Sequence, residues 1–357
     1  MKILQLIQKP QNRGAETFAS QLSNHLIELG HDVKILAVFN GEANLPFHGE
    51  IETLNASSNK RFIDLNAWKK LANMIAEFDP DIVQANAGDT LKYAVFSKIF
   101  YKWKNPIVFR NASEVGRYLT NPLQKKINSF FYKYTDLIIS VSQVSENDIL
   151  KHFPFLTNKT TVIPVGLEKM DSIPEIELEP NDHKHIIHVG GFTFEKNHQG
   201  LLRIFQNVLK QNPNAHLHLV GDGPLKPEIE KEVQEKKLTE NISFYGFVNN
   251  PMSFIKAADV LVLPSIIEGL PGVLLEGMYC KTPVIAYNVG GVSEIITAQT
   301  GFLIPKNDET SFADSIIKGF KEPNAELIRS AYQNVSKNFI NKDLSLGFVK
   351  AYGSLQK

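Results

Sequence analysis

Cysteine is almost absent: Cys280 is the only one in 357 residues. No internal disulfide can form, so the chain must be held together by its cores, and a reducing cytoplasmic compartment is expected. Around it, GMYCKTPVIAY reads as a helix end followed by a buried strand, with no cation close before the thiol to activate it. Apolar runs of the roughly 18 residues that a membrane helix needs are also missing, and the apolar start MKILQLIQ is too short for a signal-peptide core. Neither export nor membrane spanning is expected. Net charge is lacking as well: 38 basic residues balance 38 acidic ones, which removes bulk attraction to nucleic acid.

Low-complexity tracts do not occur, and 43% hydrophobic with 21% charged residues is the composition of a folded globular chain. Neither GxGxxG nor GxxxxGK[ST] is present, which argues against a Rossmann dehydrogenase and a P-loop NTPase. No DxD stands in a plausible ligand loop, and His183, His185 and His188 fall in linker and strand. His216 and His218 alternate with apolar neighbours in a strand and read as packed or solvent-facing side chains. No metal site is expected.

What is present is an alternation of apolar strand-like runs with helical-period segments, the pattern of parallel sheets covered by helices. The first half offers KILQLIQ, DVKILAVF, DIVQA, PIVFR, LIISVS and TTVIPV; the second offers HIIHVGGF, HLHLVGDG, ISFYGFV, DVLVLPS, PVIAYN and GFLIP. Each set suffices for one doubly wound, Rossmann-like α/β domain, and 357 residues exceed the size at which a single core stops growing. The first helix should run from about Ala15 to Leu29, with Phe18, Leu22, Leu26 and Leu29 facing the sheet and Gly30 stopping it. The acidic, Pro-containing stretch at about 168–183 reads as the linker, and the cleft between the domains becomes the expected binding site.

In such sheets ligands bind at the carboxyl ends of strands, where glycines and helix N-termini present N–H groups to phosphate. Gly14 in QKPQNRGAETF opens the first helix, and Gly190 and Gly191 in VGGFTFEKNHQGLL end a strand ahead of Lys196 and Asn197. The richest string is PSIIEGLPGVLLEGMYCKTPVIAYNVGGVSEII, in which Glu268 follows a strand and Glu276 stands eight residues on. With a helix beginning near Gly272, Glu276 sits one turn in. Helix-start N–H groups and a lysine suit the growing charge of a departing diphosphate, one carboxylate suits sugar hydroxyls, and another suits a ribose hydroxyl pair.

EGLPGVLLE, with LHLVGDGPL and FYGFV before it, closely resembles the retaining family-four glycosyltransferases, also called group 1, many of which act in capsule, exopolysaccharide or lipopolysaccharide synthesis. RGAETFASQL, DLIISVSQ and VIPVGLE extend the resemblance over almost the whole chain. It implies a GT-B fold of two domains facing a central cleft. The acceptor-side domain would span 1–168, joined by a helix at about 340–357, and the donor-binding domain 169–339. Glu268 would contact the transferred sugar, Glu276 the ribose, Lys196 the diphosphate, and the backbone around Phe247 and Val248 the base. Gly269, Leu270, Pro271 and Gly272 would present N–H groups or shape, Pro271 having no N–H of its own. Arg110 and Asn111 would lie on the acceptor side. Retention would need no protein nucleophile, because the leaving diphosphate oxygen can take the acceptor's proton. Neither cofactor nor metal is implied beyond the nucleotide-sugar co-substrate.

Three positions depart from the family pattern. Gly191 stands where arginine is frequent, leaving the diphosphate more dependent on Lys196; Asn111 stands where a histidine is frequent; Val165 stands where asparagine is frequent. Two other classes remain open: a non-hydrolysing sugar-nucleotide epimerase, and a non-catalytic nucleotide-sugar binding protein.

Finally, Lys92 to Lys133 holds nine basic residues and a single acid, Glu114, interleaved with Tyr93, Phe96, Phe100, Tyr101, Trp103, Phe130, Phe131 and Tyr132. That combination suits the headgroup layer of an anionic membrane surface, hence a peripheral place on the inner face of the cytoplasmic membrane and a glycan or lipid-linked acceptor. A purely structural use of the aromatics would be equally compatible with the pattern. No nucleic-acid-binding motif accompanies the charge, so no nucleic-acid partner is expected.

Overall fold

The computed structural model describes residues 1–57, 63–321 and 325–356. It forms two compact units, Met1–Glu168 with Ile340–Lys357, and Lys169–Phe339. The end of the expected 340–357 stretch, Lys357, lies outside the described residues.

In the first unit the strands are β1 (Lys2–Ile7), β2 (Asp32–Ala37), β3 (Ile51–Thr53), β4 (Ile82–Ala85), β5 (Ile107–Asn111), β6 (Leu137–Ser140) and β7 (Thr160–Val162). They make one parallel sheet in the order β3-β2-β1-β4-β5-β6-β7. Strands buried on both faces read as unbroken apolar runs, which is why β1, β2, β4, β5 and β6 stand out in the sequence, while the half-buried edge strand β7 stands out through the apolar residues Ile163 and Val165 that follow it. The exception is β3, three half-exposed residues that pair only with β2 at the sheet edge.

The covering helices are α1 (Gly14–Glu28), α2 (Leu65–Phe78), α3 (Gly88–Tyr101), α4 (Pro122–Lys133) and α5 (Gln143–His152). Their starts are set by local chemistry. Asp64 accepts from Ala67 N at 3.1 Å, Asn121 accepts from Gln124 N at 2.9 Å ahead of Pro122, and Ser142 Oγ accepts from Ser145 N at 3.1 Å. Helix α1 buries Phe18, Leu22 and Leu26, and Gly30 ends it in the left-handed region at φ +84°.

The second unit repeats the plan. Strands β8 (Lys184–Val189), β9 (Ala215–Val220), β10 (Ile242–Gly246), β11 (Val260–Leu263), β12 (Val284–Tyr287) and β13 (Phe302–Ile304) form a parallel sheet in the order β10-β9-β8-β11-β12-β13. Helices α6 (His198–Gln211), α7 (Lys226–Glu235), α8 (Pro251–Ala257), α9 (Gly272–Tyr279), α10 (Val292–Ile295), α11 (Glu309–Lys321) and α12 (Ala325–Asn338) accompany it. The chain then returns to the first unit as α13 (Asn341–Gly353), whose Phe348 and Tyr352 are fully buried in one cluster with Ile3, Phe18, Leu22 and Ile139. Tyr352 Oη donates to Gln84 at 2.6 Å, and Asn341 Nδ2 donates to Glu168 at 2.8 Å, fixing both ends of that helix.

The basic, aromatic segment divides on folding. Tyr93, Phe131 and Tyr132 are buried, and Phe96 stacks on Trp68 with ring centres 4.8 Å apart. Phe100, Tyr101 and Phe130 stay exposed. On α4, Leu123, Ile127 and Phe130 recur at spacings of four and three, so one face of this helix presents apolar side chains to solvent beside exposed Lys125, Lys126 and Lys133. Among the described residues no helix is long and apolar enough to cross a membrane.

Candidate active site

In the second sheet the strand order reverses between neighbours β8 and β11, so the connections that leave these strands diverge and open a crevice at their carboxyl ends. Lys196 lies in the 3₁₀ turn Phe194–Lys196 that follows β8, and Glu268 lies in the loop that follows β11. Their side chains meet across that crevice, Lys196 Nζ donating to Glu268 Oε1 at 2.6 Å. The carboxylate side chain is 10% exposed and the lysine 23%, so the pair is largely shielded yet reachable from solvent. A short charge-assisted bond of this kind is among the stronger polar contacts in a protein.

Two further bonds stitch the loops together: Ile266 N donates to Glu195 O at 2.8 Å, and Asn197 Nδ2 donates to Pro264 O at 3.0 Å. Asn197 also caps α6, accepting from Gly200 N at 3.3 Å, so its side chain is engaged in holding the loops. From the other side, Gly291 N donates to Gly269 O at 2.7 Å. Gly290, at φ +53°, presses so closely on the Glu268 carbonyl that any Cβ there would collide with it. The doublet Gly290–Gly291 follows a strand in the same way as Gly190 and Gly191, and that is the signal in the sequence that marks this position.

Helix α9 begins at Gly272 without a side-chain cap, and space is open where a Cβ on Gly272 would stand. Leu274 N donates to Pro271 O at 3.2 Å, and the N–H groups of Gly272 and Val273 are left to meet an anion. Leu270 and Pro271 are buried, so they contribute backbone and shape. Glu276 lies one turn into α9, and no protein group donates to its carboxylate among the described residues. Desolvation pushes its pKa up to about 7. Gly190 and Gly191 follow the end of β8, and a Cβ at Gly191 would make only ordinary contacts. At the far edge Phe247, 53% exposed, and Val248 follow β10. The sheet order thus ranks these positions along one rim: Phe247 after β10, Gly190 and Lys196 after β8, Glu268 after β11 and Gly290 after β12.

Beneath this rim lie two histidines, His188 on β8 and His198 at the start of α6. His188 Nδ1 is 3.0 Å from Val262 O, a pure acceptor, so Nδ1 carries the proton and Nε2 keeps a lone pair. That Nε2 is buried without a partner, and so are both ring nitrogens of His198 and the Ser265 hydroxyl. His198 stacks on Phe192 with ring centres 4.0 Å apart and meets His188 edge-on at 4.8 Å. Burial above all lowers the pKa of His188 to about 4 and of His198 to about 2, with the Lys196 ammonium adding to both shifts. On the opposite sheet face His185 Nδ1 lies 2.9 Å from His218 Nε2, His218 Nδ1 2.9 Å from Tyr245 Oη, and His216 Nε2 2.8 Å from Ser243 Oγ. His216 and His218 are therefore packed. Among the described residues no group of three or more His, Cys, Asp or Glu side chains is disposed to hold a metal ion.

In the first unit the structure corrects the acceptor-side expectation. Arg110 and Asn111 are each 2% exposed. The Arg110 guanidinium lies over the Phe18 ring at 4.1 Å, close to the buried Glu16, and Asn111 Nδ2 donates to Ser140 Oγ and Ser145 O. Both side chains end in the interior because β5 is a central strand covered on both faces. Gly14, by contrast, is exposed at the start of α1.

Residues 12–169 match the model of Glycosyltransferase Family 4, and residues 169–338 match that of Glycosyl transferases group 1. An uncharacterized glycosyltransferase of Methanocaldococcus jannaschii is 29% identical over 235 residues, 61% of this chain and 58% of its own length. The N-acetylgalactosamine-N,N'-diacetylbacillosaminyl-diphospho-undecaprenol 4-alpha-N-acetylgalactosaminyltransferase of Campylobacter jejuni is 23% identical over 278 residues, 76% of this chain and 73% of that protein. Among solved structures, HepE of Anabaena in complex with UDP and glucose superposes with a TM-score of 0.83 at 18% identity, over 99% of this chain and all of that one. With two Rossmann-like units matched by these models over residues 12–338, the fold is GT-B and the chain belongs to the group 1, family-four glycosyltransferases.

Proposed function

We propose that this protein is a retaining glycosyltransferase that moves a sugar from a nucleotide-diphosphate donor to a glycan or lipid-linked acceptor, without a metal ion. The observation that carries the reading is the Lys196–Glu268 pair astride the β8/β11 switch point, beside the uncapped start of α9. The donor diphosphate lies between Lys196 and the α9 N-terminus, where its charge grows as the glycosidic bond breaks. Glu268 holds hydroxyls of the transferred sugar, Glu276 takes the ribose pair, and the Phe247–Val248 backbone meets the base. The leaving diphosphate oxygen accepts the acceptor's proton on the face of attack. The UDP and glucose bound to HepE support a nucleotide-sugar donor. In the resting protein Lys196 and Glu268 neutralise each other, so donor binding must exchange that ion pair for two contacts with the donor.

The experiment is a panel of nucleotide sugars, scored by thermal stabilisation and by slow release of nucleoside diphosphate. One donor at 100 times its Kd should stabilise the protein by about 2.7 kcal/mol. Stabilisation without any release or transfer would favour a binding protein, and interconversion of the sugar without transfer would favour an epimerase.

The exposed Leu123, Ile127 and Phe130 face of α4, flanked by Lys125, Lys126 and Lys133, supports a peripheral membrane site. A lipid-linked acceptor would be met there, in keeping with the diphospho-undecaprenol substrate of the Campylobacter relative. Each basic residue near an anionic surface contributes about 1 kcal/mol, and inserted apolar side chains add to it. Replacing Leu123, Ile127 and Phe130 by serine should cut co-sedimentation with phosphatidylglycerol vesicles at least tenfold while activity on a short soluble acceptor is kept. Wild-type protein that stays in the supernatant at low salt would show the face to be merely solvated.

A further inference from the structure

Strand β9 runs into the glycine turn at 221–225, and Lys226 opens α7 directly after it. Its side chain does not run out into solvent. It is 22% exposed, and Nζ lies 3.8 Å from the point where a Cβ on Gly246 would stand, with no other group outside the adjoining residues within 4 Å of that point. The ammonium is thus folded back over the carboxyl end of β10, where Gly246, at φ +64°, leads into Phe247 and Val248. Gly221 N donates to Gly246 O at 2.7 Å and ties the two strand ends together. Lys226 is only loosely engaged there: Asp222 Oδ2 and Glu230 Oε1 stand 4.0 and 3.8 Å from Nζ, beyond hydrogen-bond reach, and no closer acceptor meets it among the described residues. Asp222 Oδ1 already accepts from Gly223 N at 2.7 Å, and Glu230 lies one turn down α7, away from the strand end. Phe247 N and Val248 N likewise find no acceptor among the described residues. An ammonium and two backbone N–H groups therefore face one stretch of rim beside the exposed Phe247 ring.

Position along the rim decides what this cation can meet. The sheet order puts β10 two strands beyond β8, and with strands about 4.8 Å apart it stands about 10 Å from the strand that carries the Lys196 turn. The same diphosphate cannot reach both lysines directly, because a nucleotide laid along the rim has its ribose between them and its base over β10. We propose that Lys226 selects the donor's base: it takes bases with a carbonyl oxygen on the pairing edge, O4 of uracil or O6 of guanine, and rejects those with an amino group there, cytosine and adenine. A lysine ammonium donates and never accepts, so a carbonyl oxygen gives it a charge-assisted bond while an exocyclic amino group leaves two donors face to face. The rejection is the larger part of the effect, since both opposed groups lose the bonds they had to water. Phe247 and Val248 meet any base through their backbone, and Lys226 adds the choice. This proposal rests on the nucleotide-sugar reading of the rim and adds to it the class of base.

The test is calorimetric titration of the full-length protein with UDP, CDP, GDP and ADP. UDP should bind at least tenfold more tightly than CDP or, if the rim takes purines, GDP at least tenfold more tightly than ADP. That ratio should fall below threefold in Lys226→Met, which keeps the apolar stem and removes the donor, and should persist in Lys226→Arg. Lys196→Ala should weaken every diphosphate and leave the ratio unchanged, which separates the choice of base from the hold on phosphate. A ratio that survives Lys226→Met, or tighter binding of CDP or ADP than of its carbonyl counterpart, overturns the proposal and leaves the donor site standing. Failure of all four to bind at millimolar concentration is the different result that sinks the nucleotide-sugar reading, and the proposal with it.

Discussion

Glu268→Gln should reduce sugar transfer by on the order of a hundredfold or more while tightening the binding of the nucleoside diphosphate product. The two effects have opposite signs for one reason. In the resting protein the Glu268 carboxylate holds Lys196 at 2.6 Å, so it competes with the diphosphate for the same ammonium. The amide is nearly isosteric and its carbonyl still accepts from Lys196, but the ionic part of the competition is gone and the lysine is released to phosphate. The rate falls because charge is lost beside the developing oxocarbenium-like centre, where only interactions stronger in the transition state raise turnover. Folding should be little affected, because the amide oxygen still accepts from Lys196 and no shielded group loses its partner. Steady-state rates and calorimetric titration of the diphosphate check both arms. Activity within threefold of wild type would remove Glu268 from catalysis, and weaker diphosphate binding would show that the ion pair does not gate the site.

That pairing marks how far the sequence could be read. Spacing alone put Glu276 one turn into a helix starting at Gly272, because a strand end, a glycine pair and a period of 3.6 fix the positions almost uniquely. It could not show that Lys196 and Glu268, 72 residues apart, touch each other before any donor arrives. Arg110 illustrates a different limit. PIVFRN reads as a strand running to a polar, accessible end, yet α1 covers that end and Phe18 receives the guanidinium. Nothing in the local pattern distinguishes a cation facing solvent from one lying on an aromatic ring. The turn after β8 places Asn197 beside Lys196 in the sequence, but its side chain is engaged by Gly200 and Pro264, a use visible only once both loops are in place. Edge strand β3 leaves no signal in the sequence, because three residues that are not buried carry no periodicity.

The histidines buried in the second unit give the other large effect, which is on stability. His188, His198, His216 and His218 are each less than 9% exposed, and burial lowers their pKa values to about 4, 2, 4 and 3. A group whose folded pKa is depressed stays neutral in the native state while the unfolded chain takes up its proton near pH 6.5. Its penalty is therefore absent above that pH and grows as the pH falls towards the folded value. Each histidine should cost about 1 kcal/mol between pH 6.5 and 5.5, or about 4 kcal/mol for the set. Glu276 acts in the opposite sense. Its raised pKa, about 7, means that the native state binds the extra proton, which returns about 1 kcal/mol over the same interval. The net expectation is a loss of about 3 kcal/mol confined to Lys169–Phe339. The molecule carries its own control, since Trp68 and Trp103 both belong to the first unit. Hydrogen exchange in β8 and β9 should accelerate steeply from pH 6.5 to 5.5, after correction for intrinsic rates, while the unfolding transition seen by tryptophan fluorescence moves much less. Replacing His216 and His218 by glutamine should remove about 2 of the net 3 kcal/mol, roughly two thirds of the acid sensitivity. If exchange in β8 and β9 keeps its protection through pH 5, these imidazoles are protonated in the folded protein at little cost, and their burial does not govern its acid stability.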